Sequence, residues 1–360
     1  MNQTDIANIR LINQQIAVTK ASTVKDVVAW MGAMQAQDYA MAKWAVGVRL
    51  PGSTDWDVEA AIDNGEIIRP HLLRPTWHLV SADDVYWMLE LTAPFIKASM
   101  KSREKELELS AAIFAKSNSI IEETLRGRQN VTREELIAEL DKHGIATDQN
   151  RASHLLVRAE LEGIACSGAT RGGKLTYALL EARVSKTKPF ARDEALAALA
   201  RRYFASRCPA TLQDFAWWSG LSVGDATRAL EMIKADFSSE TVDSQVYWLA
   251  DNRSISNSGK ASVHLLPAFD EFIISYRDRS AVLPFEDRLK AVSSGGVFRP
   301  TIVINGQVTG IWKRTIKKDR VLVETELFRQ PEDLTRSLIE KAAAEFARFL
   351  GKQIKVSHKL

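Results

Sequence analysis

Several features that mark other protein classes are scarce in this 360-residue sequence. Glycine and proline supply 28 of 360 residues, about 8% against roughly 12% on average, so regular elements should outnumber loops. The two cysteines, Cys166 and Cys208, lack a neighbouring cysteine or histidine, which argues against a disulfide framework and a structural zinc site. No run approaches the roughly 20 apolar residues of a membrane span, and MNQTDIANIR lacks the pattern of a secretory signal. We therefore expect a cytoplasmic protein without a membrane segment.

A large excess of charge and the common catalytic signatures are also missing. The 48 basic and 45 acidic residues leave a net charge of +3, too small for the whole surface to attract a polyanion. There is no phosphate-binding glycine loop, nucleophile elbow, dinucleotide fingerprint or H-E-x-x-H motif. The six histidines are scattered, without a pair at helical ligand spacing. We expect no metal and no other cofactor, and any nucleic-acid binding must come from local basic clusters.

The segment from Val131 to Leu180 carries the clearest pattern. Thr132 and Glu135 form a capping box that starts a helix, and a second amphipathic helix follows after a short turn. Two strand-like runs then surround a glycine-rich tip with Arg171 and Lys174, typical of a basic β-hairpin. Helix, turn, helix and hairpin is the order of a winged helix, whose second helix enters the major groove of DNA.

Similar patterns near the start of the chain and after residue 210 predict two further units of this kind. Beyond about residue 260, apolar runs alternate with Gly, Asn-Gly and charged turns, and a final amphipathic helix is predicted to begin at Pro331. We predict an α+β fold with three tandem winged-helix units and a C-terminal β-barrel-like domain. The predicted domains are 1–105, 106–188, 189–258 and 259–360.

A Gln35-Ala36-Gln37 segment between two apolar helices is the most distinctive candidate for chemistry. In an extended chain, alternation directs both glutamines to one side and Ala36 to the other. Their amides accept and donate hydrogen bonds without titrating, so together they can orient a water molecule. Asp38 is the nearest carboxylate and is either a base or a helix cap. Two exposed or cap-forming amides are the structural alternative.

The chain resembles the AlkZ-like winged-helix DNA glycosylases, which remove alkylated purines and unhook interstrand crosslinks. The resemblance covers nearly the whole sequence. It implies three winged helices around a β-barrel with a concave basic surface, and a catalytic motif of glutamine, apolar residue, glutamine that matches Gln35, Ala36 and Gln37. A sister subfamily has aspartate in the last place. The stretches that carry the resemblance are MGAMQAQDYAMAKWAVGVRL, RPTWHLVSADD, ATLQDFAWWSGLSVGDA, LLPAFDEFIISYRDRS and VTGIWKR.

The resemblance implies hydrolysis of the N-glycosidic bond of N-alkylated purines in double-stranded DNA. An alkylated purine is cationic and leaves readily, so an aligned water can replace a strong acid. We assign catalytic roles to Gln35, Gln37 and Asp38. Basic residues on the second helix of the central unit, on its hairpin tip and in the C-terminal domain are candidate DNA contacts. They are Arg151, His154, Arg158, Arg171, Lys174, Lys313, Arg314 and Lys317.

Two other functions use the same modules. A non-enzymatic DNA-binding protein or transcriptional regulator would bind an undamaged palindrome and release no base, whereas a protein-interaction scaffold would have an acidic concave surface. A regulator normally binds as a dimer matched to half-site symmetry. Three unlike units in one chain instead suit a monomer on a single lesion, and we expect no obligatory protein partner.

Overall fold

A computed structural model describes residues 1–186, 188–250, 261–329 and 333–359, which form a mixed α+β fold. None of the described helices has the length and apolarity to cross a membrane. The helices are α1 Gln3–Asn13, α2 Val24–Met31, α3 Tyr39–Gly47, α4 Asp55–Asp63, α5 Val85–Glu106, α6 Ala111–Gly127, α7 Arg133–Lys142, α8 Arg151–Leu161, α9 Leu180–Arg183, α10 Arg192–Arg207, α11 Leu212–Ser219, α12 Val223–Ile233, α13 Glu271–Ile274, α14 Arg288–Ala291 and α15 Asp333–Phe349. The strands are β1 Ala33–Gln35, β2 Ile67–Ile68, β3 His71–Leu72, β4 Thr76–Ser81, β5 Val131–Thr132, β6 Ala165–Ser167, β7 Thr176–Leu179, β8 Phe237–Val242, β9 Gln245–Ala250, β10 Val263–Leu266, β11 Thr301–Ile304, β12 Gln307–Ile316, β13 Arg320–Leu327 and β14 Gln353–Lys359.

The chain divides into two compact units, neither of which is continuous in sequence. The first unit comprises Met1–Glu59, Ala197–Trp218 and Ser222–Leu360, and the second comprises Ala60–Leu196 and Ser219–Leu221. The four contiguous domains proposed from the sequence therefore stay a prediction. The proposed boundary at 258/259 and the helix start proposed at Pro331 lie outside the described residues.

The second unit contains the helix, turn, helix and hairpin predicted from the sequence. In the capping box of α7, the Thr132 hydroxyl accepts from the Glu135 N–H at 3.3 Å, and the Glu135 carboxylate accepts from the Thr132 N–H at 2.7 Å. β5, β7 and β6 form an antiparallel sheet in that order. The apolar positions of α6, α7 and α8 share one core, which includes Ile121, Leu136, Leu140, Leu155, Leu156 and Ala159.

The order of elements in this segment occurs two more times in the chain. α6, β5, α7, α8, β6 and β7 correspond in sequence order to α2, β1, α3, α4, β2 and β4, with β3 as an additional strand between β2 and β4. A third series runs through α10, α11, α12, β8 and β9, with an isolated bridge between Ala210 and Trp248 in the place of the first strand. A helix, a short extended segment, two helices and a hairpin thus recur three times.

The C-terminal part of the first unit forms a five-stranded sheet in the order β10-β11-β12-β13-β14. Its strands pair antiparallel except for β13 and β14, which pair parallel because α15 connects them. The β-barrel-like prediction is wrong for the described residues, whose sheets all remain open. The reason is that α15 packs against β10, β13 and β14, so a helix covers this sheet instead of the sheet closing on itself.

Aromatic side chains attach α3 to this sheet. The Trp44 ring lies 5.1 Å from Phe346 and 5.2 Å from Phe349 of α15. Its indole N–H donates to the carbonyl of Leu265 in β10 at 2.7 Å. Trp44 is 3% exposed, as expected for a core residue. Because α3 follows directly after the two glutamines, this packing fixes one end of the candidate site.

We expect Gly47→Ala to destabilise the protein, because a Cβ at Gly47 would lie 2.6 Å from two ring carbons of Phe349. Overpacking of this kind costs about 1–3 kcal/mol, measurable as a lower urea midpoint. The control is Gly127→Ala in α6, where a Cβ meets nothing within 4 Å. Adding Phe349→Leu to Gly47→Ala should recover part of the loss. Equal midpoints for Gly47→Ala and Gly127→Ala would contradict this account of the packing.

Candidate active site

Gln35 and Gln37 lie on the same side of the chain, with Ala36 turned into the core. Gln35 ends β1 and is 7% exposed, Ala36 is 0% exposed, and Gln37 is exposed. The Gln35 Nε2 amide donates to Gln37 Oε1 at 3.3 Å, and the Gln37 backbone N–H donates to Gln35 Oε1 at 3.2 Å. The two side chains therefore form one amide pair, of which the Gln37 end is open to a ligand.

The backbone of Gln35 is held by a buried carboxylate from α13. Glu271 is 1% exposed, and its Oε1 accepts from the Gln35 N–H at 2.8 Å. Its Oε2 accepts from Arg207 Nη2 at 2.7 Å, from the Trp218 indole at 3.1 Å and from the Ser275 hydroxyl at 2.5 Å. These donors all belong to the first unit, and one of them is the backbone of the glutamine motif.

Arg207, the partner of Glu271, holds the residues before Gln35. Its guanidinium is 0% exposed and donates to the carbonyls of Met31 at 2.7 Å and Ala33 at 2.8 Å. The ring of Trp218 covers it, with 4.4 Å between the guanidinium carbon and the ring centroid. The Glu271–Arg207 ion pair therefore contacts the backbone on both sides of the turn from α2 into β1.

The pKa of Glu271 reflects these contacts. Burial acts to raise the pKa, but Coulomb attraction to Arg207 and the hydrogen bonds from Ser275, Arg207 and the Gln35 backbone outweigh it. The result is a pKa of about 2, below the ordinary value of 4.5. The carboxylate is thus ionised at neutral pH and opposite a permanent charge.

Asp38 has a structural contact and directly follows Gln37 in the sequence. Its Oδ1 accepts from the Met41 N–H at 3.1 Å and caps α3. Its side chain is 38% exposed, and Arg314 Nη2 of β12 lies 3.4 Å from Oδ2. Among the basic residues predicted from the sequence to bind DNA, Arg314 is thus brought by β12 to Asp38, the residue that follows the motif.

Two of the three candidate DNA-binding residues of α8 bond to protein groups. Arg151 donates to the carbonyls of Ala146 and Leu107, and Arg158 pairs with Glu104 at 2.8 Å over the ring of Phe114. His154 is buried, and burial lowers its pKa. The predicted amphipathic helix is present. Arg151 contacts the connection between α5 and α6, and Arg158 contacts α5 and α6 themselves, while a role of the three residues in DNA binding stays a prediction.

The remaining basic candidates lie on hairpins. Arg171 is 50% exposed, and its Nη2 donates to Glu135 Oε2 at 2.5 Å, whereas Lys174 is exposed at the tip between β6 and β7. Lys313 is exposed on β12 and Lys317 in the turn that leads to β13. A phosphate would therefore compete with Glu135 for Arg171, while the three lysines are accessible.

Sequence reasoning did not single out Glu271 and Arg207. The signal was present, since Glu271 is flanked by Phe-Asp and Phe-Ile-Ile in an apolar stretch. A charged residue in such a stretch indicates a buried partner. The partner is 64 positions away, so no local pattern connects the two residues.

Comparisons with known proteins yield a family and a fold. The family model described as "DNA glycosylase AlkZ-like" matches residues 28–349. Among solved structures, the Streptomyces sahachiroi DNA glycosylase AlkZ matches with a TM-score of 0.83 at 20% sequence identity, covering 100% of each chain. A comparison with curated proteins found no match. The family match spans both glutamines, Arg207 and Glu271, and the structural likeness extends over the entire fold.

We expect acid to destabilise the protein partly through Glu271. Because the folded-state pKa of about 2 lies below 4.5, the ionised carboxylate stabilises the fold above about pH 4.5, and this contribution is lost as the pH falls toward 2. At about 1.4 kcal/mol per pKa unit, the loss amounts to a few kcal/mol. Between pH 7 and pH 3, the thermal midpoint of Glu271→Gln should fall less steeply than that of the wild type, although its midpoint at pH 7 is lower. An identical slope in both proteins would contradict the assignment.

Proposed function

The chain belongs to the AlkZ-like family of DNA glycosylases, and we propose that it hydrolyses the N-glycosidic bond of N-alkylated purines in double-stranded DNA, including purines in interstrand crosslinks. The observation that carries the proposal is the amide pair of Gln35 and Gln37, hydrogen-bonded to each other at 3.3 Å and open at Gln37. Its rigid support by Glu271 is what a water-positioning site requires.

The chemistry suits groups that do not titrate. Alkylation at N7 or N3 makes the purine a cation, so the base takes the bonding electrons of the glycosidic bond and leaves as a neutral molecule. The sugar passes through an oxocarbenium-like state, and a water oxygen attacks its anomeric carbon. The Gln35–Gln37 pair would hold that water on the face opposite the departing base. With no lysine in the motif, water rather than an enzyme amine is the nucleophile.

Asp38 would assist this step without losing its capping role. Its Oδ1 caps α3, while the partly exposed carboxylate lies next in sequence to Gln37. A carboxylate there can accept the proton that the attacking water loses, and it favours the positive charge that develops on the sugar. Arg314, at 3.4 Å, would limit the rotation of the carboxylate and contact the DNA backbone.

We infer that the three recurring series of elements are winged-helix units that bind DNA as a monomer in the cytoplasm. Lys174 on the β6–β7 hairpin and Lys313 and Lys317 on the β12–β13 hairpin are accessible and suit phosphate contacts. Arg171 would exchange its contact with Glu135 for a phosphate. Arg151 and Arg158 have partners within the protein and His154 is buried, so we propose that these three residues stabilise the unit and do not bind phosphate.

Replacing Gln35 and Gln37 together by alanine should slow release of 7-methylguanine at least about 100-fold, the effect of removing positioned groups. The variant should fold and bind DNA like the wild type, because the bond from the Gln35 backbone to Glu271 remains and Gln37 is exposed. Single-turnover base release and crosslink unhooking measure the rate, and a DNA titration measures the dissociation constant.

The exposed Gln213 in α11 provides a matched control, since Gln213→Ala also removes an amide from the first unit. A wild-type rate in the Gln35/Gln37 double variant would contradict the proposed site. If the wild-type protein releases no base above the spontaneous rate and binds an undamaged palindrome, a non-enzymatic regulator is favoured instead.

Lys174→Ala and Lys317→Ala should each weaken DNA binding and reduce the slope of log K against log salt by about 1, as expected for one lost phosphate contact. Arg158→Ala should leave the slope unchanged but lower the thermal midpoint, because the buried Glu104 loses its ion-pair partner. DNA titrations between 50 and 200 mM salt, roughly the range in which such effects are large, test both. An unchanged slope in the two lysine variants would exclude these hairpins as phosphate contacts.

A further inference from the structure

We propose that Glu271 is a positioning residue of the reaction, which sets the orientation of the Gln35–Gln37 amide pair through the backbone of Gln35. This inference rests on the proposed function, because the pair is taken to hold the attacking water. Glu271 itself is buried and would touch neither water nor DNA. Its effect on the rate would be transmitted by one hydrogen bond of 2.8 Å.

The two oxygens of Glu271 accept hydrogen bonds from different groups. Among the described residues, Oε1 accepts only from the Gln35 N–H. Oε2 accepts from Arg207, Trp218 and Ser275. The bonds to Oε2 thus fix the carboxylate group in the core. Because the group is fixed, Oε1 points toward the Gln35 N–H.

Movement of the Gln35 backbone would also move Gln37. The peptide N–H of Gln37 donates to Gln35 Oε1, and the Gln35 amide donates to Gln37 Oε1. β1 has three residues and ends at Gln35, so Gln37 lies beyond the strand and depends on its bonds to Gln35 for its position. Arg207 donates to the carbonyls of Met31 and Ala33. Within the described part of the chain, the charged group that bonds to the Gln35 N–H is Glu271.

Glu271→Gln tests this geometry because it keeps the shape and removes one acceptor. The amide oxygen of the new side chain will face the donors of Arg207, Trp218 and Ser275 that surround Oε2, since an NH₂ group there would oppose the N–H groups of Arg207 and Trp218. Its NH₂ group will then face the Gln35 N–H, and two donors cannot bond to each other. The substitution therefore breaks the contact with the motif while keeping contacts to the core.

Asp270→Asn is the matched control. Asp270 is the preceding residue, is 2% exposed, and forms a buried ion pair with Arg49 at 2.8 and 2.9 Å. Like Glu271→Gln, Asp270→Asn replaces a buried acid by an amide of the same shape and leaves an arginine without its counter-charge. Asp270 also caps α13, where its Oδ1 accepts from the Phe272 N–H at 2.8 Å, a role that asparagine can keep. This variant therefore reports the effect of a weakened ion pair next to Glu271.

The experiment combines two readouts on full-length protein. We expect Glu271→Gln to lower the single-turnover rate of 7-methylguanine release about 10- to 100-fold, as a small misplacement of positioned groups does, with the dissociation constant for DNA within about twofold. Hydrogen exchange followed by NMR should show that the slow exchange of the Gln35 N–H is lost. Asp270→Asn should keep both the rate and the slow exchange.

If Glu271→Gln does not fold, Glu271→Asp keeps the buried charge opposite Arg207 while its shorter side chain no longer reaches Gln35, and the same two changes are expected. Unchanged Gln35 exchange, or a wild-type rate despite fast exchange, would overturn the positioning role, as would an equal loss of rate in Asp270→Asn. A wild-type protein that releases no base while its Gln35 exchange depends on Glu271 would refute the proposed function and support the structural contact.

Discussion

The candidate site depends on the buried ion pair between Glu271 and Arg207. The two charges lie 2.7 Å apart, and the residues are 1% and 0% exposed. Such a pair is stable in the core only because the carboxylate and the guanidinium also bond to neighbouring groups. Several of those bonds go to the backbone between Met31 and Gln35. The interactions that solvate the charges in the core therefore also determine where the glutamine motif lies.

This arrangement separates the rigid part of the site from the part that meets a substrate. The charges are inside, fixed by residues of α10, α11 and α13, whereas the uncharged amide pair reaches the surface at Gln37. A cationic leaving base needs little acid assistance, so orientation of water matters more than proton transfer. Asp38 belongs to both parts, since its carboxylate caps α3 and is also partly exposed to solvent.

Local sequence patterns predicted more of the fold than of the binding surface. Thr132 and Glu135 identified a helix start by a capping box, which the structure contains. Alternation at residues 35–37 predicted one side for both amides, and their mutual hydrogen bonds agree with it. By contrast, Arg158 and Arg171 have the same charge in sequence, yet one is 17% and the other 50% exposed. The burial of a charged side chain depends on partners such as Glu104 that no local pattern reveals.

The sequence by itself determined the helices, the hairpins and the adjacent amides, because capping, periodicity and strand alternation act between residues a few positions apart. Tertiary structure alone decided that the C-terminal sheet remains open, because α15 occupies the face that a barrel would close upon. It also decided which acid supports the motif. Glu271 lies 236 residues from Gln35, and only the folded core brings its carboxylate to that peptide, where burial makes the hydrogen bond strong.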